Sequence, residues 1–385
     1  MNTAVTVIVS VLIFGFLIFI HEFGHYITAR IFKVTIEEFS IGMGPRLVSW
    51  VSKKTGIRYS IALFPIGGFV SMPGENGEDI VNEETSEETP EDTSLETNGE
   101  AHDKPMGIFG AGDYRNDPNT FGKKPVWQRF IITAAGAVVN IVAGFVAMIL
   151  LTSLINIGGT TVGAFYTEEE LGSPVVSESQ GLQVDDKIIS IDGKRVRILD
   201  ELSYEIMRRG TEPVDLVVER GGERITLYDV QFSCVSEQGQ DFGVMDFKVY
   251  RDEKSFGNVM KYSFAKSFLI VRMCWESIYD LITGRYSMAA VSGPVGISSA
   301  IGNAVTQGFT SVLYITVLIS INLGLMNLLP IPALDGGRLL TQLIEMITRK
   351  RIPAKIEGII NTVGLILLLG LSAVIMVKDI FQLLS

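Results

Sequence analysis

Only three histidines occur among the 385 residues, His21, His25 and His102. Two of them stand in His21-Glu22-Phe23-Gly24-His25, an H-E-x-x-H run that closes an uncharged apolar stretch. On a helix, positions i and i+4 share a face, so both imidazoles can reach one metal ion. Glu22 lies beside them and suits the role of general base on water. Zinc accepts two imidazoles and a carboxylate while keeping a fourth position open. The competing reading is a chance match. It sits poorly with ionisable groups clustered at membrane depth, where they are costly and tend to be functional.

A third ligand has to come from elsewhere. His102 ends an acidic stretch, where a solvated side chain is the simpler expectation, and Glu37 and Glu38 lie beyond a break in the helical pattern. The remaining candidate is Asp335, in Asn327-Leu-Leu-Pro-Ile-Pro-Ala-Leu-Asp335-Gly-Gly. The prolines and glycines must interrupt a helix there, and broken helices at membrane depth survive where they line a cavity. A helix-capping aspartate at a membrane boundary is the alternative. Asn140 and Asn327 are polar residues at membrane depth that could also bond between helices.

The elements that would position these groups are mostly apolar. Hydrophobic residues make up 47% of the chain, which fits a membrane protein with a sizeable soluble part. The net charge of −11 argues against nucleic acid as a partner. Cys234 and Cys274 lack metal-site spacing and read as ordinary thiols. Four apolar runs are long enough to span a bilayer: Thr3 to Ile20 and its next turn, Ile131 to Ile157, Thr310 to Leu334, and Gly358 to Val377. No basic residue precedes the first run, so a retained helix is expected rather than a signal peptide. Lys and Arg at 30–58, 123–129 and 338–355 mark the cytoplasmic ends and give four alternating spans.

Between these spans the pattern changes. Arg58 to Ser71 is apolar but broken at Pro65 and Gly67-Gly68, as expected of a β-hairpin or re-entrant loop. Glu75 to Asp103 is acidic, without Lys or Arg, and reads as a disordered insertion. Residues 160–250 alternate in short runs with turns at Asp192-Gly193 and Gly221-Gly222, which predicts a small soluble α+β domain on the outer side. Within it Asp200 is expected to cap a helix over Glu201 to Arg209, and Gly158-Gly159 to end the second span. Ser255 to Thr283 predicts an amphipathic helix on the membrane surface or, equally, a linker helix packed on the soluble domain.

The H-E-F-G-H run in the first span, the N-L-L-P-I-P-A-L-D-G-G run in the third and the domain between spans two and three resemble the bacterial site-2 proteases, zinc intramembrane metalloproteases of regulated intramembrane proteolysis. The resemblance covers nearly the whole chain. It implies Zn2+ held by His21, His25 and Asp335, with Glu22 as catalytic base. It implies substrate positioning by Asn327, by Asn140 in Gly136-x-x-x-Asn140, and by Gly67, Gly68 and Phe69 in a membrane re-entrant β-loop over Ile61 to Met72. That loop would offer a β edge to an unwound substrate.

The implied fold is a multi-pass α-helical membrane protein of four transmembrane helices and a re-entrant β-loop, with one inserted PDZ-like extracytoplasmic domain. Its parts would be 1–74 (first span and loop), 75–122 (acidic insertion and linker), 123–158 (second span), 159–250 (PDZ-like domain), 251–305 (amphipathic segment), 306–356 (third span with its motif) and 357–385 (fourth span). Ser173-Pro174 and Gly181-Leu182 match the PDZ pattern, but Asp185-Asp186 replaces its usual Gly-Asp, and one such domain is visible rather than two. Implied partners are the lipid bilayer of a bacterial cell, single-span substrates such as anti-sigma factors and remnant signal peptides, and an upstream site-1 type protease. A metal transporter would predict metal flux, and a non-catalytic membrane scaffold would predict no bound zinc.

Overall fold

The computed structural model describes residues 3–75, 114, 117–237, 240–285 and 291–384. His102 and all of the predicted acidic insertion except Glu75 lie outside them.

Two compact units divide the chain: Met1–Ile141 with Val291–Gly302 and Leu323–Ser385, and Val142–Ala290 with Asn303–Asn322. In chain order the elements are α1 (Thr3–Ile31), β1 (Glu38–Val51), β2 (Arg58–Ser71), α2 (Val126–Leu154), β3 (Gly158–Phe165), α3 (Glu168–Leu171), β4 (Lys187–Ile191), β5 (Lys194–Arg195), α4 (Leu199–Arg209), β6 (Val214–Arg220), β7 (Glu223–Val230), β8 (Ser233–Glu237), β9 (Gln240–Val244), β10 (Phe247–Arg251), α5 (Phe256–Ile282), α6 (Pro294–Gln307), α7 (Phe309–Leu328), α8 (Asp335–Thr348) and α9 (Ala354–Leu384). Among the described residues four helices are long and apolar enough to cross a membrane: Ala4–Ile31, Val126–Leu154, Phe309–Leu328 and Lys355–Phe381.

Several boundaries differ from the sequence reading. The first helix runs on to Ile31, so the H-E-x-x-H run lies inside it. The second starts at Val126 and stops at Leu154, leaving Gly158 and Gly159 to begin β3. The third ends at Leu328, because Pro330 lacks the N–H that would continue it. The segment expected over 251–305 holds two helices, α5 and α6.

In the first unit β1 and β2 fold as four short segments. Glu38–Ile41 lies in the middle, parallel to Arg58–Ile61 on one side and antiparallel to Gly68–Ser71 on the other. Residues 46–51 pair antiparallel with residues 58–62 on the outside. The expected hairpin therefore recruits residues 38–51, which the sequence reading left unassigned. A carboxylate knot ties the middle strand: Glu38 accepts from Arg46 at 2.9 and 2.6 Å and from Ser60 Oγ at 2.6 Å. Burial favours the neutral acid, but the Arg46 and Ser60 hydrogen bonds outweigh it and hold the Glu38 carboxyl below its ordinary range. Beneath the sheet Ala29, Val34, Phe39, Ile57, Val70 and Ile132 form an apolar core.

In the second unit an antiparallel sheet runs β10-β3-β4-β6-β7, with β5 paired to β4. Its core includes Val162, Ile188, Leu202, Ile206, Leu216, Val218 and Phe247. Asp192 and Gly193 take positive φ in the β4–β5 turn, as the sequence predicts. Asp200 is not the cap of α4. The helix starts one residue earlier with Ile198 before it, and the Asp200 carboxylate accepts from Tyr262 and pairs with Lys266 at 2.7 Å. Asp185 adopts φ +74°, the conformation for which glycine is the usual choice, and Asp186 is fully buried against Arg220 at 2.6 Å.

Helix α5 turns its charged face to α4: Arg208 meets Glu276 and Asp280 at 3.1 and 2.8 Å, and Arg272 meets Glu205. Its adjoining stripe, Phe256, Phe264, Phe268, Trp275, Tyr279 and Ile282, is exposed. The helix packs on the sheet domain, as the linker-helix reading expects, and also presents an apolar face. Cys234 and Cys274 are free thiols.

Candidate metal centre

His21 and His25 lie one turn apart on α1 with their rings edge to face, centroids 4.8 Å apart. Their Nε2 atoms are 3.2 Å from each other. Asp335 Oδ2 lies 3.1 Å from His21 Nε2 and 3.4 Å from His25 Nε2. One ligand atom from each of the three residues falls within 4.8 Å of the others.

Small residues make this convergence possible. A Cβ on Gly136 of α2 would stand 2.3 Å from His25 Nε2 and 2.8 Å from His21 Cε1, so no larger residue leaves the rings in place. Four residues before Gly136, the carbonyl of Ile132 lies 2.8 Å from His25 Nδ1. A carbonyl only accepts, so Nδ1 carries the proton and the Nε2 lone pair points at the cluster.

Asp335 is delivered by the break after α7. Ala333 takes φ +70°, and its N–H donates to Asn361 Oδ1 of α9 at 3.3 Å. The chain then doubles back so tightly that a Cβ on Gly336 would sit 1.8 Å from the Leu329 carbonyl oxygen. Leu334 precedes α8 and makes no side-chain cap; Asp335 is the first helical residue. The capping alternative fails, because its carboxylate turns to the two histidines. Asp335 Oδ2 is buried yet accepts no well-formed hydrogen bond from the described residues. The His25 lone pair, His21 Nε2 and an unbonded carboxylate oxygen meet at one point, where a cation would satisfy them. The donor set fits zinc.

Around this point lies a cavity of about 310 Å3. His21, Glu22, His25, Asp335, Ile132 and Thr133 line it on one side, Gly68 to Met72 on another, and Glu75 and Arg338 complete it. The edge segment of the sheet passes close to Glu22, since a Cβ on Gly68 would lie 2.9 Å from Glu22 Cγ. Gly68 and Phe69 thus face the cavity, whereas Gly67 packs on Met43. Asn140 and Asn327 do not line it. Their Nδ2 atoms lie 3.4 and 3.5 Å from His21 Nδ1, on the far side of the ring. Glu37 and Glu38, the competing ligands, bond to Ser71 and Arg46 instead. Sequence reasoning missed the Ile132 carbonyl, which no residue type announces. It also missed Arg338, which lies three residues past Asp335 but was read only as an orientation signal.

A four-span membrane protein with a converging His-His-Asp cluster and a neighbouring glutamate is the class these features define. The model for Peptidase family M50 matches residues 9–371. The chain belongs to that family, the site-2 proteases, and is a zinc metalloendopeptidase rather than a transporter or scaffold. Similar proteins include a Fusobacterium nucleatum protein named as a zinc metalloprotease, 32% identical over 98% of this chain and 99% of its own length. The zinc metalloprotease RasP of Shouchella clausii is 30% identical over 99% of this chain and 100% of its own. The regulator of sigma-W protease RasP of Bacillus subtilis is 29% identical over 98% and 99%.

Proposed function

We propose that this chain cleaves transmembrane segments of single-span membrane proteins, with His21, His25 and Asp335 as zinc ligands and Glu22 as the catalytic base. The observation that carries the reading is the convergence of the three ligand atoms within 4.8 Å, in one cavity with Glu22. Zinc held there supplies Lewis-acid polarisation of the scissile carbonyl and acidifies water. Glu22 takes the proton from the attacking water and hands it to the leaving amine. The Ile132 carbonyl fixes the tautomer of His25. A ligating His21 keeps its proton on Nδ1, so the group facing it is an amide oxygen of Asn140 or Asn327. These two asparagines then orient a ligand rather than the substrate.

The segment Gly68 to Ser71 gives the substrate an edge strand to pair with, which holds an unwound helix extended past Glu22. Lys and Arg at the ends of the spans near the cluster support a site on the cytoplasmic side of a bacterial cell membrane, with the segment between spans two and three outside. There the sheet of residues 158–251 serves as a PDZ-like filter that favours substrates already trimmed by a site-1 type protease. The exposed aromatic stripe of α5 has the composition of an interfacial helix face and rests on lipid. The sigma-W regulator named among the relatives makes membrane-anchored anti-sigma factors the first substrates to try, followed by remnant signal peptides.

Glu22→Gln tests the assignment. With a tagged single-span substrate, cleavage should fall by about a thousandfold or more while zinc stays bound. Persistent cleavage in that variant would overturn the role of Glu22.

A further inference from the structure

Past the edge segment Gly68 to Ser71, the chain turns at Met72 to Glu75, where the Glu75 N–H donates to the Met72 carbonyl at 3.2 Å. The Pro73 carbonyl accepts from Phe121 N–H at 2.8 Å, which pins this turn to the approach of α2. Arg338 lies three residues beyond Asp335 on α8, hence on the same helix face. Glu75 and Arg338 meet as an ion pair and both line the cavity. Their side chains are 21% and 30% exposed, so the pair stands at the mouth and not in the core. Apart from Glu22 and the ligand Asp335, they are the only Asp, Glu, Lys or Arg residues lining the described cavity.

A substrate strand laid along Gly68 to Ser71 leaves the cavity past this pair. On the cytoplasmic side, the flank of a transmembrane segment is enriched in Lys and Arg. Glu75 is then the first acidic group such a flank meets. Arg338 would not be stranded by the exchange, because Glu357 and Asp335 also act on it electrostatically. At the mouth of the metal cavity Glu75 is the one acidic lining residue besides Glu22 and Asp335, so it is the group with which a basic flank would pair.

We propose that Glu75 is a specificity-determining residue, which pairs with Arg338 at rest and exchanges it for a Lys or Arg at the cytoplasmic end of the substrate's span. This rests on the intramembrane-protease reading above. The test uses the full-length enzyme in liposomes with one single-span substrate whose cytoplasmic flank carries Lys, Gln or Glu at the same position.

The wild type should cleave the Lys form about five- to tenfold faster in kcat/KM than the Glu form, with Gln between. Glu75→Gln should narrow that ratio to about twofold or less, and the double variant Glu75→Arg with Arg338→Glu should invert it. A wild-type ratio near one, or a ratio unchanged in Glu75→Gln, overturns the proposal; the latter comparison stands even where the double variant loses its zinc. Failure of the wild type to cut any of the three forms would count against the protease reading instead.

Discussion

The sheet unit and the metal cluster of this protein bury charge in opposite ways. In the sheet unit the buried carboxylates face cations or N–H and O–H donors, although Asp280 Oδ2, 2.8 Å from Arg208, makes no well-formed hydrogen bond. Asp186 faces Arg220, Glu205 faces Lys194 and Arg272, Asp280 faces Arg208, and Asp246 accepts from Val176 N–H, Ser177 N–H and Ser177 Oγ. In the helical unit His21 Nε2, His25 Nε2 and Asp335 Oδ2 come together, and Asp335 Oδ2 accepts no well-formed hydrogen bond from the described residues. A buried polar group costs free energy unless it is bonded, so the first pattern holds a fold together and the second calls for a ligand. Burial of charge alone does not distinguish a site; the missing partner does.

Substitutions can break this contrast. The largest effect is expected at Gly136→Leu, whose side chain would fill the space of the two rings. Zinc should be lost and cleavage should fall to background, a drop of about a thousandfold or more, read by metal analysis and product formation. Arg220→Ala leaves Asp186 buried without its counter-charge and should destabilise the sheet unit by about 3 kcal/mol. Hydrogen exchange in β4 and β6 would report that loss, and zinc content should stay at the wild-type value.

Asn140→Ala removes one of the two amides at His21 Nδ1 and should weaken zinc about 10- to 100-fold, by competition with a chelator. Asn140→Asp, which keeps the accepting oxygen, should restore part of that loss. The smallest effect is expected at Asp185→Gly. Relief of the positive φ should stabilise the sheet unit by about 0.5–1 kcal/mol in thermal unfolding, with no change in cleavage.

The sequence exposes some of this plainly. An i, i+4 histidine pair at the end of an apolar run announces a shared helix face, and the Pro-x-Pro and Gly-Gly around Asp335 announce a break that can aim it. Other parts are silent. Residues 38–51 carry Gly42, Gly44 and Pro45 and no clean alternation, and their strand character comes from pairing with β2, which no local pattern encodes. Asp200 looks like a cap because its type fits one; its carboxylate is instead drawn to Tyr262 and Lys266, some 60 residues on. The asparagines read from their depth as bonds between helices, and as substrate contacts only through the family resemblance; only coordinates put them behind His21. Glu75 reads as the start of the acidic insertion and Arg338 as an orientation signal until the turn after β2 and the start of α8 bring them to one mouth.

The most direct test is X-ray absorption at the zinc edge on the purified full-length enzyme and on Asp335→Ala. The wild type should hold one zinc with two imidazole nitrogens and oxygen donors, and the variant should hold little or none after dialysis against a weak chelator. Full zinc in Asp335→Ala with an unchanged spectrum would contradict the assignment of Asp335.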